Sequence, residues 1–291
     1  MKRIAFFGLG RMGLPMARRL QLAGHSLRVV LHSNPAPVQE LQALGAHMAK
    51  SPADAVSEAE IIISILPGDR DIEALLLSPG IKKAVKPGAV LIEMSTATSG
   101  CVQRLAEVYG QKGVSVLDAP VSGGVKGAAE GTLTIIAGGD SSALEAVRPV
   151  LDVLASKIFH VGVAGAGKAM KAVNQMIVGA NAVIVSEALR VARHHGMDLE
   201  KVYEVISSST GASPIFLSKF EKMASEDFTP GFTLALMKKD MKIALAEGEG
   251  CPLPVASLAY ALYLMIGEEG EKQDFSVVST LFQGNKGSPQ K

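Results

Sequence analysis

Two lysines and an asparagine open the longest helical pattern in the chain. Residues 168–195 contain no proline and one internal glycine, so the sequence predicts a single helix of roughly 40 Å at ~1.5 Å per residue. Its side chains are mostly Ala, Val, Ile, Met and Leu on every side, which predicts a helix that is buried all round. Lys168 and Lys171 lie in its first turns, where a cation is disfavoured beside the positive end of the helix dipole. This placement suggests a function.

Lys171 and Asn174 are three residues apart, so they share one face of the predicted helix. Together they present an ammonium and an amide at the end where Gly165 and Gly167 let other backbone come close. The alternative is a pair of solvated lysines at an ordinary helix start.

A second candidate site lies near the N-terminus, where a glycine-rich turn follows a short apolar strand at residues 3–7. A helix and a second strand come next, which is the context that a G-x-G-x-x-G motif requires before it indicates a dinucleotide. Gly8 permits the tight turn, Gly10 lets a pyrophosphate approach, and Gly13 lets helix and strand pack closely. The predicted cofactor-binding turn comprises Gly8, Leu9, Gly10, Arg11, Met12 and Gly13.

The end of the second strand bears on the choice of cofactor. An NAD site usually places Asp or Glu here for the ribose 2′-hydroxyl, and residues 31–34 contain neither. His32, Ser33 and Asn34 can each donate a hydrogen bond to a 2′-phosphate, although no arginine stands beside them to pair with it. The sequence therefore favours NADP, with NAD as the alternative.

The ligand of a doubly wound sheet lies beyond the carboxyl ends of its strands. Leu66 and Pro67 end one predicted strand and Thr96 follows the next, so we expect all three near the cofactor. The alternative for each is an ordinary loop.

A further loop reads Asp-Ala-Pro-Val-Ser-Gly-Gly from residue 118 to residue 124. Gly123 and Gly124 make its backbone amides approachable, and Ser122 adds a hydroxyl. This combination suits a carboxylate or another small anion. The alternative is a plain glycine turn.

Strands and helices alternate through the first half of the chain, and strands then vanish. Strands are predicted at 3–7, 26–31, 46–48, 61–66, 89–93, 114–118, 132–137 and 158–161. Helices are predicted after the long one at 200–207, 213–225, 234–248, 255–267 and 275–282, followed by a polar tail that is expected to be disordered. The predicted fold is an α/β doubly wound sheet in residues 1–162, joined by the long helix to an all-helical domain in residues 163–291.

Composition supports two packed domains and excludes several partners. The chain has 291 residues, a length that exceeds the usual size of a single core. Of these residues, 48% are hydrophobic and 20% are charged, which is enough apolar material for packed interiors. A net charge of +1 and an aromatic content of 4% argue against nucleic acid. Cys101 and Cys251 are far apart and have no His or Cys nearby at ligand spacing, so we expect neither a metal site nor a disulfide.

No apolar segment free of charge and glycine reaches the ~18 residues that a membrane span requires. The N-terminal apolar run is broken by Gly8 and Gly10 before it could serve as a signal core. We therefore expect no membrane association and a cytoplasmic location.

Four motifs in order make the chain resemble the β-hydroxyacid dehydrogenases, the short relatives of 6-phosphogluconate dehydrogenase that include 3-hydroxyisobutyrate dehydrogenase and tartronate semialdehyde reductase. The resemblance covers nearly the whole length. The motifs are Gly8-x-Gly10-x-x-Gly13, residues 118–124, Gly165-x-Gly167-x-x-x-Lys171-x-x-Asn174, and Lys239-Asp240.

The resemblance implies a Rossmann domain, a helical domain used for oligomerisation, and an active site between them. Lys171 matches the general acid/base of the family, while Ser122, Gly123, Gly124 and Asn174 match its substrate-binding positions. Thr96 and Lys239 match positions that contact the cofactor. The implied reaction moves a hydride between NAD(P)H and a small semialdehyde acid or 3-hydroxy acid.

Two departures from the family pattern are present. Gln175 stands where many relatives carry a second asparagine, which favours the reductase branch. Leu31-His32-Ser33 stands where relatives show an acidic residue or Asn-Arg-Thr, which leaves the cofactor open. The alternative function is a dinucleotide-binding scaffold or sensor without turnover, and the intact Lys171 and Asn174 argue against it.

The long helix also predicts the assembly. Because it lacks a polar face, it needs more cover than the residues after it supply. We expect a homodimer or homotetramer in which a partner subunit covers it. Lys168, one turn before Lys171, is expected to be dispensable for activity.

Overall fold

The computed structural model describes residues 1–283 and forms two compact units. The first unit ends at Lys171 and the second begins at Ala172, within one long helix, α9, which spans Ala166–His194. The domain boundary at residue 162 stays a sequence-based prediction. The tail predicted to be disordered lies, from residue 284 onward, outside the described residues.

The first unit alternates strands and helices. Its strands are β1 Arg3–Phe7, β2 Ser26–Val30, β3 His47–Ala49, β4 Ile61–Ser64, β5 Val90–Glu93, β6 Ser115–Asp118, β7 Val121–Ser122, β8 Leu133–Gly138 and β9 Ala155–Gly162. Its helices before α9 are α1 Gly13–Leu22, α2 Ala36–Ala43, α3 Pro52–Val56, α4 Asp69–Leu76, α5 Pro79–Ala84, α6 Ser99–Gly110, α7 Gly124–Glu130 and α8 Ser141–Leu151.

The strands form one sheet whose first six members run parallel in the order β3-β2-β1-β4-β5-β6. β8 then pairs antiparallel with β6 and β7 and parallel with β9. Chain order reverses between β1 and β4, which is the switch point where a doubly wound sheet leaves a crevice for its ligand. The predicted α/β doubly wound class is confirmed.

Helices cover both faces of this sheet, because successive strand residues point to opposite sides. In β1, Ile4 and Phe6 pack into one apolar cluster, while Ala5 and Phe7 pack into the other. Strands buried on both faces read as continuous apolar runs, which is why they were recognisable in the sequence.

The second unit is helical. It contains the rest of α9, then α10 Leu199–Ser207, α11 Pro214–Ser225, α12 Leu234–Glu247 and α13 Pro254–Leu264, with 3-10 segments at Glu268–Gly270 and Phe275–Phe282. One apolar cluster, with Phe216, Phe220, Met237 and Tyr263 among its members, forms its core. The predicted helical second half is confirmed.

Helix α9 is not buried all round, contrary to the prediction. Its exposed apolar side chains recur at spacings of three, four and seven residues, so they form one stripe along the helix. The exposed members are Met170 at 46%, Val173 at 51%, Ile177 at 59%, Ile184 at 57% and Val191 at 56%. The opposite face is buried. In the single chain, helix α9 therefore has one buried face and one exposed face that is largely apolar.

Among residues 1–283, α9 is also the one helix whose length and composition would allow it to cross a membrane. Its most apolar 18-residue window has a mean hydropathy of 1.3, and 44% of that window is buried in the protein. Core helices of other proteins meet the same criterion, so this is weak evidence for a span.

Several local elements differ from the sequence-based prediction. Helices α5 and α7 and the two-residue strand β7 were not predicted; α7 begins in a Gly-Gly pair, and β7 exists only through its pairing with β8. Phe275–Phe282 was predicted as an ordinary helix and adopts the tighter 3-10 form. Its Phe-Ser-Val-Val-Ser-Thr sequence is rich in residues with low α-helix propensity.

Candidate functional site

The glycine turn after β1 has the close contacts that its sequence requires. Gly8 has φ +95°, and a Cβ there would lie 2.0 Å from the carbonyl oxygen of Ile65. A Cβ on Gly13 would lie 1.7 Å from the carbonyl oxygen of Gly8. Gly8 therefore serves the turn, and Gly13 serves the packing of α1 against the strands.

Gly10 differs from its two neighbours in the motif. A Cβ on Gly10 would meet no atom of the described residues within 4 Å, so its backbone faces open space. The N-cap residue of α1 is Met12, whose side chain has no oxygen to cap the helix, and the first turn contains no acidic residue. An open glycine beside an uncapped helix start suits a pyrophosphate, so this site fits a dinucleotide.

Leu9 and Met12 pack against the apolar cluster that contains Ile4 and Phe6, and Arg11 is exposed. We therefore expect Leu9 and Met12 to contact a cofactor through their backbone. His32, Ser33 and Asn34, beyond β2, are all exposed.

The three residues beyond β2 are held by local contacts. His32 Nδ1 lies 3.3 Å from Ser33 Oγ. Asn34 Oδ1 accepts the N–H of Ala36 at 3.1 Å, so this side chain fixes the start of α2. The region supplies hydrogen-bonding groups and no carboxylate from residues 31 to 34.

The loops after β4 and β5 are joined. Ser95 Oγ accepts the backbone N–H of Leu66 at 2.7 Å, and Ser95 is buried. Pro67 is exposed, and Thr96 is partly exposed beside Ser95. These loops lie at the carboxyl edge, where Leu66, Pro67 and Thr96 were predicted to contact the cofactor.

The predicted anion-binding loop contains more regular structure than a glycine turn. Ser122 ends β7, opposite Thr134 of β8, and α7 begins at Gly124. Gly123 and Gly124 have φ of +128° and +64°, values that an L side chain rarely adopts. A Cβ on Gly124 would meet nothing within 4 Å in the described part of the chain, so the backbone here is accessible.

Helix α9 begins against the end of β6. Its own first residues supply no capping side chain, and Asp118 does so instead. Asp118 Oδ1 accepts the N–H of Gly165 and Oδ2 accepts the N–H of Lys168, both at 2.8 Å. A Cβ on Gly167 would lie 2.5 Å from the carbonyl oxygen of Ile136, so the glycines allow this close approach.

The two lysines at the start of α9 are buried, so the alternative of solvated lysines is wrong. Lys171 is 7% exposed and Lys168 is 1% exposed. Lys168 Nζ forms an ion pair with the Glu93 carboxylate and donates to the carbonyl oxygens of Glu93, at 3.1 Å, and of Ser95. This network removes the basis for expecting Lys168 to be dispensable.

Sequence reasoning missed Glu93, Ser95 and Asp118 as members of this network. One signal was available: a helix start without a Ser, Thr, Asp or Asn cap of its own needs a partner from elsewhere. A buried lysine likewise needs a partner, and Glu93 is the acidic residue at the end of a buried strand.

In the second unit, two hydrogen bonds and one ion pair link Asn174 to Lys239 through Gln175 and Asp240. The buried carboxylate of Asp240 accepts from Gln175 Nε2 at 2.7 Å and pairs with Lys239 Nζ at 3.0 Å. Because a carboxylate only accepts, Gln175 must turn its amide nitrogen to Asp240 and its oxygen to Asn174. Asn174 Nδ2 donates to that oxygen at 2.9 Å, which fixes the orientation of the Asn174 amide.

Lys238, beside it, has a different partner. Its Nζ donates to the carbonyl oxygen of Ile266 at 3.0 Å and to Glu271 at 3.2 Å. Lys238 is partly buried, and these two acceptors satisfy its ammonium.

Among residues 1–283, no group of three His, Cys, Asp or Glu side chains is placed to hold a metal ion. Both cysteines are free thiols, Cys101 buried and Cys251 exposed. Burial, with a smaller contribution from the carboxylates of Asp69 and Glu73, raises the pKa of the Cys101 thiol to about 12. Cys101 is therefore protonated at neutral pH and inert.

The strand order, the glycine turn and the open start of α1 define a dinucleotide-binding protein. Two family models match the chain: the NAD-binding domain of 6-phosphogluconate dehydrogenase over residues 3–162, and the NAD-binding domain of NADP-dependent 3-hydroxyisobutyrate dehydrogenase over residues 165–282.

Curated relatives match along nearly their whole lengths. The NAD-dependent L-serine dehydrogenase of Pseudomonas aeruginosa is 37% identical, over 99% of this chain and 100% of its own. The probable 3-hydroxyisobutyrate dehydrogenase of Mycobacterium tuberculosis is 36% identical, over 96% and 97%.

Solved structures agree. The 3-hydroxyisobutyrate dehydrogenase of Mycobacterium tuberculosis, solved with L-serine, superposes with a TM-score of 0.91 at 34% identity, covering 98% of this chain and 100% of that one. An imine reductase from Myxococcus stipitatus, at 21% identity and a TM-score of 0.67 over 97% and 99%, shares the fold alone.

The chain belongs to the β-hydroxyacid dehydrogenase family, as its four motifs predicted. It is an NAD(P)-dependent oxidoreductase, and the named relatives do not favour a scaffold without turnover. The roles of individual site residues stay predictions.

Proposed function

We propose that this protein interconverts a small 3-hydroxy acid and its semialdehyde, using a nicotinamide dinucleotide and Lys171 as general acid/base. The observation that carries the proposal is the placement of Lys171, which is 7% exposed and lies in the first turns of a helix anchored to the carboxyl edge of the sheet. A lysine at an ordinary helix start would be solvated, whereas Lys171 is buried. The reaction requires a positioned proton-transfer group, and the Lys171 ammonium can serve as one.

The names of the relatives narrow the substrate class. Relatives are named for L-serine, for 3-hydroxyisobutyrate and for 2-(hydroxymethyl)glutarate. All three compounds have a carboxylate, a substituted carbon next to it, and a primary alcohol on the following carbon. We propose that this protein acts on an acid with this skeleton; glycerate, the product of tartronate semialdehyde reduction, also has it.

A nicotinamide dinucleotide held at the turn from Gly8 to Gly13 would supply or accept the hydride at carbon 3 of the substrate. On oxidation, Lys171 takes the hydroxyl proton. On reduction, Lys171 returns a proton to the alkoxide, and its positive charge stabilises the alkoxide as it forms. The backbone amides at Gly123 and Gly124 and the hydroxyl of Ser122 hold the carboxylate. Asn174, fixed by Gln175, donates and accepts hydrogen bonds with the substrate.

A panel of acids tests this proposal. Reduced nicotinamide absorbance would be followed with L-serine, 3-hydroxyisobutyrate, glycerate and 2-(hydroxymethyl)glutarate, each with NADP and with NAD. Lactate, whose alcohol is on the neighbouring carbon, is the control and should not react. A protein that binds NADPH yet turns over no acid or semialdehyde would refute the proposal and restore the scaffold alternative.

We propose that the protein works in the cytoplasm as a homodimer or homotetramer. The exposed apolar stripe of α9 supports the assembly. Helix α13 adds to it, because Val255, Leu258 and Leu264 are 68%, 62% and 52% exposed. Apolar surface of this extent on a helix is typical of a subunit interface.

A further inference from the structure

The ammonium of Lys168 is enclosed by three acceptors of the first unit. They are the Glu93 carboxylate, the Glu93 carbonyl oxygen at 3.1 Å, and the Ser95 carbonyl oxygen. Both side chains of the ion pair are 0% exposed. An ammonium has three N–H donors, so each donor has one acceptor. The pair is a complete buried network and not a surface ion pair.

The second oxygen of the Glu93 carboxylate holds the neighbouring loop. Glu93 Oε1 accepts the N–H of Ser95 at 3.1 Å and also the Ser95 hydroxyl. The Ser95 Oγ in turn accepts the N–H of Leu66 at 2.7 Å. The ion pair therefore connects α9 with the loops after β5 and β4, the two loops that carry the predicted cofactor contacts Leu66 and Thr96.

The backbone of Lys168 is fixed independently of its side chain, through its N–H bond to Asp118 at 2.8 Å. Glu93 is paired in register with Asp118 on β6 and with Ser64 on β4. Two adjacent strand ends thus hold one residue at both its main chain and its side chain. Lys171 follows within one helical turn, so its position relative to the strand ends depends on this anchor.

Stability alone accounts poorly for the pair. Replacing a buried ion pair by well-packed apolar residues of similar volume is often neutral or stabilising, because burial costs both charges their hydration. The contacts also speak against a general structural role, since the pair joins the helix that carries Lys171 to the loops that carry Leu66 and Thr96.

We propose that Glu93 and Lys168 are positioning residues for the reaction. The pair holds the first turn of α9 against the carboxyl ends of β4 and β5, and so sets where the Lys171 ammonium stands relative to the Leu66–Thr96 loops. This inference rests on the proposed function. Displacement of a reacting group by about 1 Å costs on the order of 100-fold in rate, so a modest loosening of the anchor would be measurable.

The test uses the full-length Lys168→Met and Glu93→Gln variants with the best acid of the panel. NADPH fluorescence titration counts the nucleotide sites, and kcat is expressed per site. The proposal predicts that each variant lowers kcat at least about tenfold while nucleotide affinity changes less than about threefold. It also predicts a larger primary deuterium isotope effect with substrate deuterated at carbon 3, because hydride transfer becomes more rate-limiting.

Lys219→Met is the matched control. Lys219 forms another ion pair with a fully buried carboxylate, that of Asp274 at 2.8 Å, and within residues 1–283 its ammonium contacts none of the predicted site residues. Its loss should lower Tm comparably and leave kcat per site and the isotope effect unchanged. A purely structural Glu93–Lys168 pair would behave in the same way.

Folded Lys168→Met protein with wild-type kcat per site and isotope effect would overturn the proposal. If the single variants do not fold, the double variant Glu93→Gln with Lys168→Met, which removes both charges, is measured in the same way. A lowered kcat per site with a larger isotope effect would support the proposal, and wild-type values would overturn it. Absence of turnover in the wild-type protein would refute the proposed function instead, so the two failures are distinguishable.

Discussion

At the scale of single residues, the buried carboxylate of Asp274 is held by partners that lower its pKa. Asp274 is 0% exposed and accepts from Lys219 at 2.8 Å and from the N–H groups of Gly231 and Phe232 at 3.0 and 3.1 Å. Burial raises the pKa of the Asp274 carboxyl, but the bonds and charge of Lys219 and the backbone donors outweigh it, so the pKa lies below its ordinary value.

A depressed pKa stabilises the fold above the unfolded-state pKa of about 3.9, and this stabilisation is lost as pH falls through the lower, folded-state pKa. We expect Asp274→Asn to lower the free energy of unfolding by about 3 kcal/mol at pH 7, because Lys219 is left without its carboxylate. The deficit should shrink as pH falls below about 4. Urea unfolding at both pH values measures it, and a pH-independent deficit would contradict this account of Asp274.

Cofactor preference is also decided by single side chains. With no carboxylate from 31 to 34, NADPH should be preferred over NADH. His32→Asp should shift the preference towards NADH, because a carboxylate accepts from the ribose hydroxyl and repels a 2′-phosphate. The ratio of kcat/KM for the two cofactors measures this. Equal or better use of NADH by the wild-type protein would refute the preference while leaving the dinucleotide site intact.

At the scale of elements, the glycine turn separates folding from binding. Gly13→Ala should destabilise the protein, since its Cβ would lie 1.7 Å from the Gly8 carbonyl oxygen. Gly10→Ala should leave Tm unchanged, because the added methyl meets no atom of the described residues within 4 Å. It should nevertheless weaken NADPH binding at least about tenfold, or ~1.4 kcal/mol, by occupying the approach of the pyrophosphate. If Gly10→Ala bound NADPH with wild-type affinity, the prediction that the pyrophosphate binds at this turn would be wrong.

Elements whose pattern is local were predictable from the sequence. β1, the glycine turn and α1 follow from one short stretch, and α9 follows from its unbroken apolar pattern. The need of Lys168 for a partner could be inferred from its position, but the choice of Glu93 could not, because Glu93 lies 75 residues away and its proximity depends on strand order. β7 was missed for the same reason, since two residues carry no periodicity and form a strand only against β8.

At the scale of the whole molecule, the exposed apolar stripe of α9 predicts association. Ile184 is 57% exposed in the middle of that stripe. Ile184→Glu should fold as the wild type does but dissociate, because it places a charge in an apolar interface. Light scattering at micromolar concentration measures the mass. Lys83→Glu, at an exposed position of α5, is the control and should keep the wild-type mass; a wild-type protein that is monomeric would disprove the interface.

The central claim, that Lys171 transfers the proton, is tested most directly by kcat of Lys171→Ala per NADPH-binding site. The account predicts a loss of roughly 100-fold or more, the usual contribution of a general acid, with NADPH affinity retained because Gly8 to Gly13 are untouched. Lys201→Ala, which removes an exposed lysine of α10, should keep wild-type kcat. Wild-type turnover by Lys171→Ala with full NADPH binding would contradict the account.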